Sequence, residues 1–253
     1  MFKVGVVCYF SSPFALPSMS ENQTKSQVAE FYEDFQSHGK YDYLYGDEAR
    51  KNLYVKLIGK GHKILEVGCR AGNLTQHFHE GNEVVGIDVD RNALVEFEKR
   101  LGLKGHWVDA DSEDFPFEDG QFDTVVFSEV MEHLRFPQKA LKEIARALKP
   151  GGRLIGSVPN AFRLRNRIKF LFGKPYEVDP SHMRSYSHGL VRKELSTFFE
   201  QIEIHPISGH LLGGGSTGIP VFTWLPFRIR ALFALDLVFV GVKKAATDDT
   251  KNS

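Results

Sequence analysis

Two carboxylates and an imidazole stand close together in Ser128-Glu129-Val130-Met131-Glu132-His133-Leu134. On a helix, spacing of i, i+3 and i+4 places Glu129, Glu132 and His133 on one face, where their donor atoms converge. Mixed oxygen and nitrogen ligation suits Mg, Mn or Zn. His182, in Asp179-Pro180-Ser181-His182-Met183-Arg184, offers a fourth ligand to such a divalent cation. Without a metal, His133 is the natural general base or orienting group, because histidine has the unperturbed pKa nearest neutrality, and Glu129 and Glu132 add acid–base capacity. A purely structural role is the third reading, and the residues by themselves leave all three open.

A second constellation lies upstream, in Ile64-Leu65-Glu66-Val67-Gly68-Cys69-Arg70-Ala71-Gly72-Asn73-Leu74. An apolar strand ends in an acid and runs into a glycine-spaced turn that opens toward a helix. Val84-Val85-Gly86-Ile87-Asp88 then carries an acid at the tip of the next strand. Glycines let backbone approach a ligand, and an acid at a strand tip can accept both hydroxyls of a ribose. The spacing Glu-x-Gly-x-x-x-Gly lacks the glycine pattern that cradles a pyrophosphate. The pocket therefore reads as one for a nucleoside without phosphates, which argues against an NAD-dependent dehydrogenase.

Elements that could position these residues alternate regularly. Strand candidates are Lys63–Val67, Glu83–Ile87, Gly105–Val108, Phe122–Ser128, Arg153–Val158, Ile202–Pro206 and Leu237–Val242. Between them, helical patterns cover Asn73–Glu80, Arg91–Leu101, Phe136–Leu148 and Gly189–Phe198. This alternation predicts an α/β, doubly wound sheet that binds its ligand at the carboxyl ends of the strands. Two segments fall outside the alternation and border that edge, residues 161–186 and 208–236, and we expect them to form a substrate lid of helical insertions. The expected organisation is a disordered extension over residues 1–20, one domain over 21–246 and a frayed tail over 247–253. Within the domain, 21–60 form an N-terminal helical lid, with Phe31, Tyr32, Phe35, Tyr41, Tyr43, Tyr45 and Tyr54 as its aromatics, and 61–160 form the core.

Composition bounds the rest. The 253 residues suit one α/β domain with lid elements, and 32 basic against 32 acidic residues leave no global field to attract nucleic acid. Cys8 and Cys69 are the only cysteines, far apart and one inside the glycine turn, which fits a reducing, cytoplasmic setting without disulfides. The charge-free stretch Leu211–Phe227 is broken by glycines and prolines, so no transmembrane helix is expected.

Lys63 to Pro159 resembles the class I S-adenosylmethionine-dependent methyltransferases. Glu66-Val67-Gly68-Cys69-Arg70-Ala71-Gly72 is similar to that family's first motif, which meets the methionine moiety, and Asp88, followed by Val89, matches the acid that holds the ribose. Asp111-Ser112 stands where the family flanks the adenine, with Ser in place of the usual Ala. Phe122–Ser128 resembles the fourth strand, ending beside the sulfonium, and Leu148-Lys149-Pro150-Gly151-Gly152-Arg153-Leu154 the turn into the fifth. The resemblance implies a mostly parallel, seven-stranded, Rossmann-like sheet whose last strand is antiparallel, with S-adenosyl-L-methionine as cofactor. The Glu129, Glu132, His133 and His182 constellation resembles two metal-assisted subfamilies, the small-RNA 3′-end 2′-O-methyltransferases and the O-methyltransferases of ubiquinone biosynthesis.

Phe162–Lys174 interleaves Arg163, Arg165, Arg167, Lys169 and Lys174 with apolar residues, as would a helix at a membrane surface, a phosphate or RNA contact, or a solvated lid. Phe222, Trp224, Phe227 and Phe233 tilt the acceptor toward a small lipophilic or aromatic molecule, O-methylation favoured. Two alternatives stand beside it, a metal-dependent RNA 2′-O-methyltransferase and a catalytically silent cofactor-binding protein. Neutral pI and the lack of an RNA-binding appendage count against RNA. Acceptor identity and oligomeric state carry no sequence motif.

Overall fold

A computed structural model describes residues 48–175, 179, 181–212, 219–220 and 224–245. The expected extension over 1–20, most of the N-terminal lid with all its aromatics except Tyr54, the tail over 247–253 and lid residues such as Phe222 lie outside the described residues. In chain order the elements are α1 (Glu48–Ile58), β1 (Lys63–Val67), β2 (Glu83–Asp88), α2 (Arg91–Leu101), β3 (Lys104–Trp107), β4 (Phe122–Ser128), α3 (Pro137–Ala147) and β5 (Leu148–Pro159). They continue as α4 (Leu164–Leu171), α5 (His188–Leu195), β6 (Phe199–Leu212), β7 (Ile219–Pro220), α6 (Phe227–Phe233) and β8 (Ala234–Lys243). Strand order is β3-β2-β1-β4-β5-β8-β6-β7, in which the two-residue β7 extends the end of β6 beyond the expected seven strands.

β1 pairs in parallel with β2 and β4, β2 with β3, and β4 with β5, while β8 runs antiparallel to both β5 and β6. The order reverses between β1 and β4, the switch point where an open α/β sheet leaves a crevice for a ligand. Val67 registers with Ile87 and with Phe127, so Gly68, Asp88 and Ser128 emerge together at that edge. Apolar runs in the central strands bury both faces of the sheet. Leu65, Val67, Val125, Phe127 and Leu154 join the core under α3, and Ile64, Val84, Val126, Ile155 and Val238 meet Tyr54 and Ile58 of α1.

The helix expected over Asn73–Glu80 is only a 3₁₀ turn, Thr75–His77. Asn, Thr and His are weak helix formers, and the Asn82 side-chain amide closes the segment early by donating to the carbonyls of Phe78 and Gly59. Thr75 is also drawn inward, its hydroxyl donating to buried Glu66.

Candidate functional site

The glycine turn after β1 is tied down by backbone. Gly68 and Cys69 both donate to Ile87 O, at 2.8 and 3.1 Å, and Gly72 donates to Cys69 O at 2.9 Å. Gly68 takes φ 78°, and a Cβ there would lie 2.3 Å from Val130 Cγ2, so both conformation and space call for glycine. Asp88 is buried at the tip of β2 and accepts from Arg70 N at 2.8 Å and Asp90 N at 2.9 Å. Each carboxylate oxygen keeps a second lone pair, the capacity a ribose diol requires. Burial raises the Asp88 pKa, against these two backbone donors. Val89 follows, its carbonyl taking Trp107 Nε1 at 2.7 Å.

Glu66 lies beneath the turn, 3% exposed, and burial pushes its carboxyl up to about 8 against the Thr75 hydroxyl, with Asp88 adding to the rise. Burial also raises the Cys69 thiol, as befits a packed rather than reactive cysteine. Beyond β3, both Asp111 oxygens are engaged, Oδ2 by Arg135 Nε and Oδ1 by Phe136 N, each at 2.7 Å. Asp111 thus ties the loop after β3 to the segment after β4. Ser112 Oγ donates to Asp109 Oδ2 at 2.7 Å, and Asp109 also accepts from Asp111 N at 2.9 Å. Asp109, which sequence reasoning did not single out, organises this turn.

The single helical face expected for Glu129, Glu132 and His133 does not form. Glu129 takes φ 54°, and only Met131–His133 make a 3₁₀ turn, so Glu129 parts from Glu132 and His133. Glu129 turns toward Arg50 of α1, Nη1 to Oε1 at 3.1 Å, and accepts from Ser157 Oγ at 2.6 Å. Arg50 also meets Asp236 of β8 at 3.6 Å. Burial works against its charge, and Glu129 with Asp236 outweighs that, so its pKa rises. Ser128 Oγ and Ser157 Oγ lie 2.9 Å apart beside Tyr54, whose phenol burial pushes upward. Arg50, Ser157 and Asp236 escaped the sequence reading. One sign was present: Arg50 shares the i, i+4, i+8 face of α1 with Tyr54 and Ile58, an odd place for an isolated arginine.

Glu132, His133 and His182 do converge, with one potential ligand atom from each lying within 4.8 Å of the others. His133 and His182 meet edge to face at 4.7 Å, and His133 Nδ1 is 3.0 Å from Ser181 Oγ, which in turn donates to Asp179 Oδ1 at 2.6 Å. Such a chain orients an imidazole. Burial and then His182 lower the His133 pKa to about 4, leaving a neutral ring at pH 7. Glu132 is 1% exposed, and neither carboxylate oxygen has a hydrogen-bond partner among the described residues. Burial followed by Glu129 raises its pKa well above the usual range. Its backbone carbonyl receives Met183 N and Arg184 N, which draws the His182 segment onto the site.

Residues 65–156 match the methyltransferase domain family. The ubiquinone/menaquinone biosynthesis C-methyltransferase UbiE of Azotobacter vinelandii is 28% identical over 213 residues, 76% of this chain and 81% of that protein. The same enzyme of Pseudomonas fluorescens is 31% identical over 159 residues, 56% of this chain and 61% of that protein. A methyltransferase of Thermotoga maritima that depends on S-adenosylmethionine superposes with a TM-score of 0.61 at 20% identity, covering 87% of this chain and 98% of that one. At that identity the superposition speaks for the fold, and among the described residues no helix is long and apolar enough to cross a membrane. With the motif order, the sheet and the matched domain in agreement, the chain is a class I S-adenosylmethionine-dependent methyltransferase.

Proposed function

We propose that the chain methylates a hydroxyl of a small aromatic or lipophilic acceptor, positioned by a divalent cation on Glu132, His133 and His182. The buried Glu132 carboxylate, without a hydrogen-bond partner among the described residues and within reach of two imidazoles, carries this reading. A buried carboxylate left so costs several kcal/mol unless something compensates it, and a cation is the compensation this donor set fits. Glu129 stays beside the site, held by Arg50, as a neighbouring negative charge. When bound, S-adenosylmethionine supplies the electrophilic methyl and the cation favours the deprotonated hydroxyl. We assign the Gly68, Cys69 and Gly72 backbone and Glu66 to the methionine end, Asp88 and Val89 to the ribose, Asp111 and Ser112 to the adenine edge, and Ser128 to the neighbourhood of the sulfonium. In-line alignment across β4 is then the protein's main contribution. The UbiE relatives are named for ubiquinone and menaquinone biosynthesis, which supports an aromatic, lipophilic acceptor.

Elemental analysis of purified protein, a chelator series and NMR of the methylated product test this reading. Retained metal, activity lost in EDTA and restored by the cation, and an oxygen-bound methyl are expected. Full turnover in chelator rules the cation out. A carbon-bound methyl replaces O-methylation by the chemistry for which the relatives are named.

A further inference from the structure

α4 is inverted relative to an ordinary packed helix. Its one buried side chain is Asn166, whose amide donates to Ala161 O at 3.0 Å, while Phe170, Leu171 and Phe172 are 73, 80 and 73% exposed. At 3.6 residues per turn, Leu164, Ile168, Leu171 and Phe172 fall in one stripe, Arg165 and Arg167 flank it on either side, and Asn166 lies opposite. No acidic residue occurs from Phe162 to Lys174, where there are five basic ones. Gly173, at φ 66°, closes the helix by donating to Phe170 O, and Lys174 N donates to Lys169 O, so the apolar tip is already ordered. α6 lies against α4, and the segment leading into it brings Trp224, 76% exposed.

Both ends of this excursion stand at the rim of the site. It leaves β5 through Asn160, whose side chain donates to Ala231 O and Ala234 O, and returns through Ser181–Met183, where Met183 N donates to Glu132 O at 2.9 Å. Asn160 and Tyr186 then pair across the base. We propose that α4 and its closing turn dock the protein on an anionic lipid surface, with Ile168, Leu171 and Phe172 entering the headgroup boundary and Arg165, Arg167 and Lys169 meeting lipid phosphates. An apolar stripe with flanking cations on short reach is what an interfacial helix requires. A second copy fits this face poorly, because a two-fold contact would set five cations against five. RNA fits less well than lipid, since the stripe is partly aliphatic and the whole chain carries no net charge.

The test is co-sedimentation of the full chain with vesicles of phosphatidylcholine alone or mixed with phosphatidylglycerol. Partitioning onto the mixed vesicles is expected to exceed that onto neutral ones by tenfold or more and to weaken with salt. The triple variant Arg165→Gln, Arg167→Gln, Lys169→Gln should lose about a hundredfold, at about tenfold for every 1.4 kcal/mol and about 1 kcal/mol per cation. Leu171→Ser with Phe172→Ser should lose at least about tenfold. These side chains are exposed apart from the half-buried Lys169, so circular dichroism and S-adenosylmethionine affinity should match the parent protein. Equal partitioning onto both vesicles, no partitioning, or unchanged binding of either variant overturns the proposal. So does a dimer in sedimentation, or binding to polyuridylate tighter than to lipid, that these substitutions abolish. The readout needs no turnover, so its failure is separate from failure of the proposed reaction.

Discussion

Replacing Glu66 by Gln should stabilise the ligand-free protein, and by an amount that grows with pH. Glu66 is 3% exposed on β1, and burial with Asp88 nearby raises its carboxyl from 4.5 in the unfolded chain to about 8 in the fold. A raised folded pKa means that the native state holds a proton the unfolded state has lost. Its stabilising share is complete below 4.5 and disappears as pH rises toward 8. Integrating between those values gives a cost of about 1 kcal/mol at about pH 5 and about 3 kcal/mol at about pH 7. Gln keeps an acceptor for the Thr75 hydroxyl and never ionises. Urea unfolding of both proteins, freed of ligand, should therefore show the variant's advantage widening by about 2 kcal/mol between those pH values. The comparison cancels His133, whose lowered pKa acts oppositely, its stability being lost as pH falls from 6.5 through about 4. An advantage that stays flat with pH, or a variant weaker at both values, would refute the reasoning.

Asp88→Ala should weaken S-adenosylmethionine binding about tenfold to a hundredfold, the loss expected for charge-assisted hydrogen bonds; undiminished affinity by calorimetry would sink the ribose assignment. Gly68→Ala should cost about 2–4 kcal/mol, combining the positive φ with overlap onto Val130, and adding Val130→Ala should recover the steric share in thermal unfolding. Arg50→Met removes the charge facing Glu129 and Asp236 and should cost about 3–5 kcal/mol, while Glu129→Gln with Asp236→Asn in the same protein should return much of it. No recovery in that triple variant would mean that packing, not charge, holds α1.

What was legible in the sequence was local. Each strand of the nucleotide half carries its own apolar run and its own turn, so Lys63–Val67 and Phe122–Ser128 have the expected bounds in the structure. Where a tertiary partner competes for the backbone, the pattern misleads. Asn73–Glu80 reads as a helix because its apolar residues are suitably spaced, yet Glu66 draws the Thr75 side chain inward and Asn82 closes the segment at Phe78. Glu129 fails for a related reason. Helical spacing presumes helical φ, and Arg50, far away in sequence and on another element, holds Glu129 against Ser157 instead. Nothing within Ser128–Leu134 encodes that arginine.

The two halves of the proposed site, one for the methyl donor and one for the acceptor, differ in how they are built, and β4 is their joint. The donor half, from Gly68 to Asp111, rests mainly on backbone N–H groups, which bond Ile87 O across the strand ends and the carboxylates of Asp88 and Asp111. The acceptor half rests on side chains drawn from α1, β5, β8 and the Ser181–Met183 segment. Ser128 closes the first, and Glu129, one residue on, opens the second with a left-handed φ of 54° that costs a non-glycine residue about 1–3 kcal/mol. Glycine would remove that cost and with it the carboxylate that Arg50 and Ser157 hold. The chain has glutamate there, and in the proposed site the strained turn supplies the carboxylate that Arg50 and Ser157 hold. On the proposed assignment, substitutions among the side chains of the second half should change the acceptor while the first half, and with it the methyl donor, stays as it is.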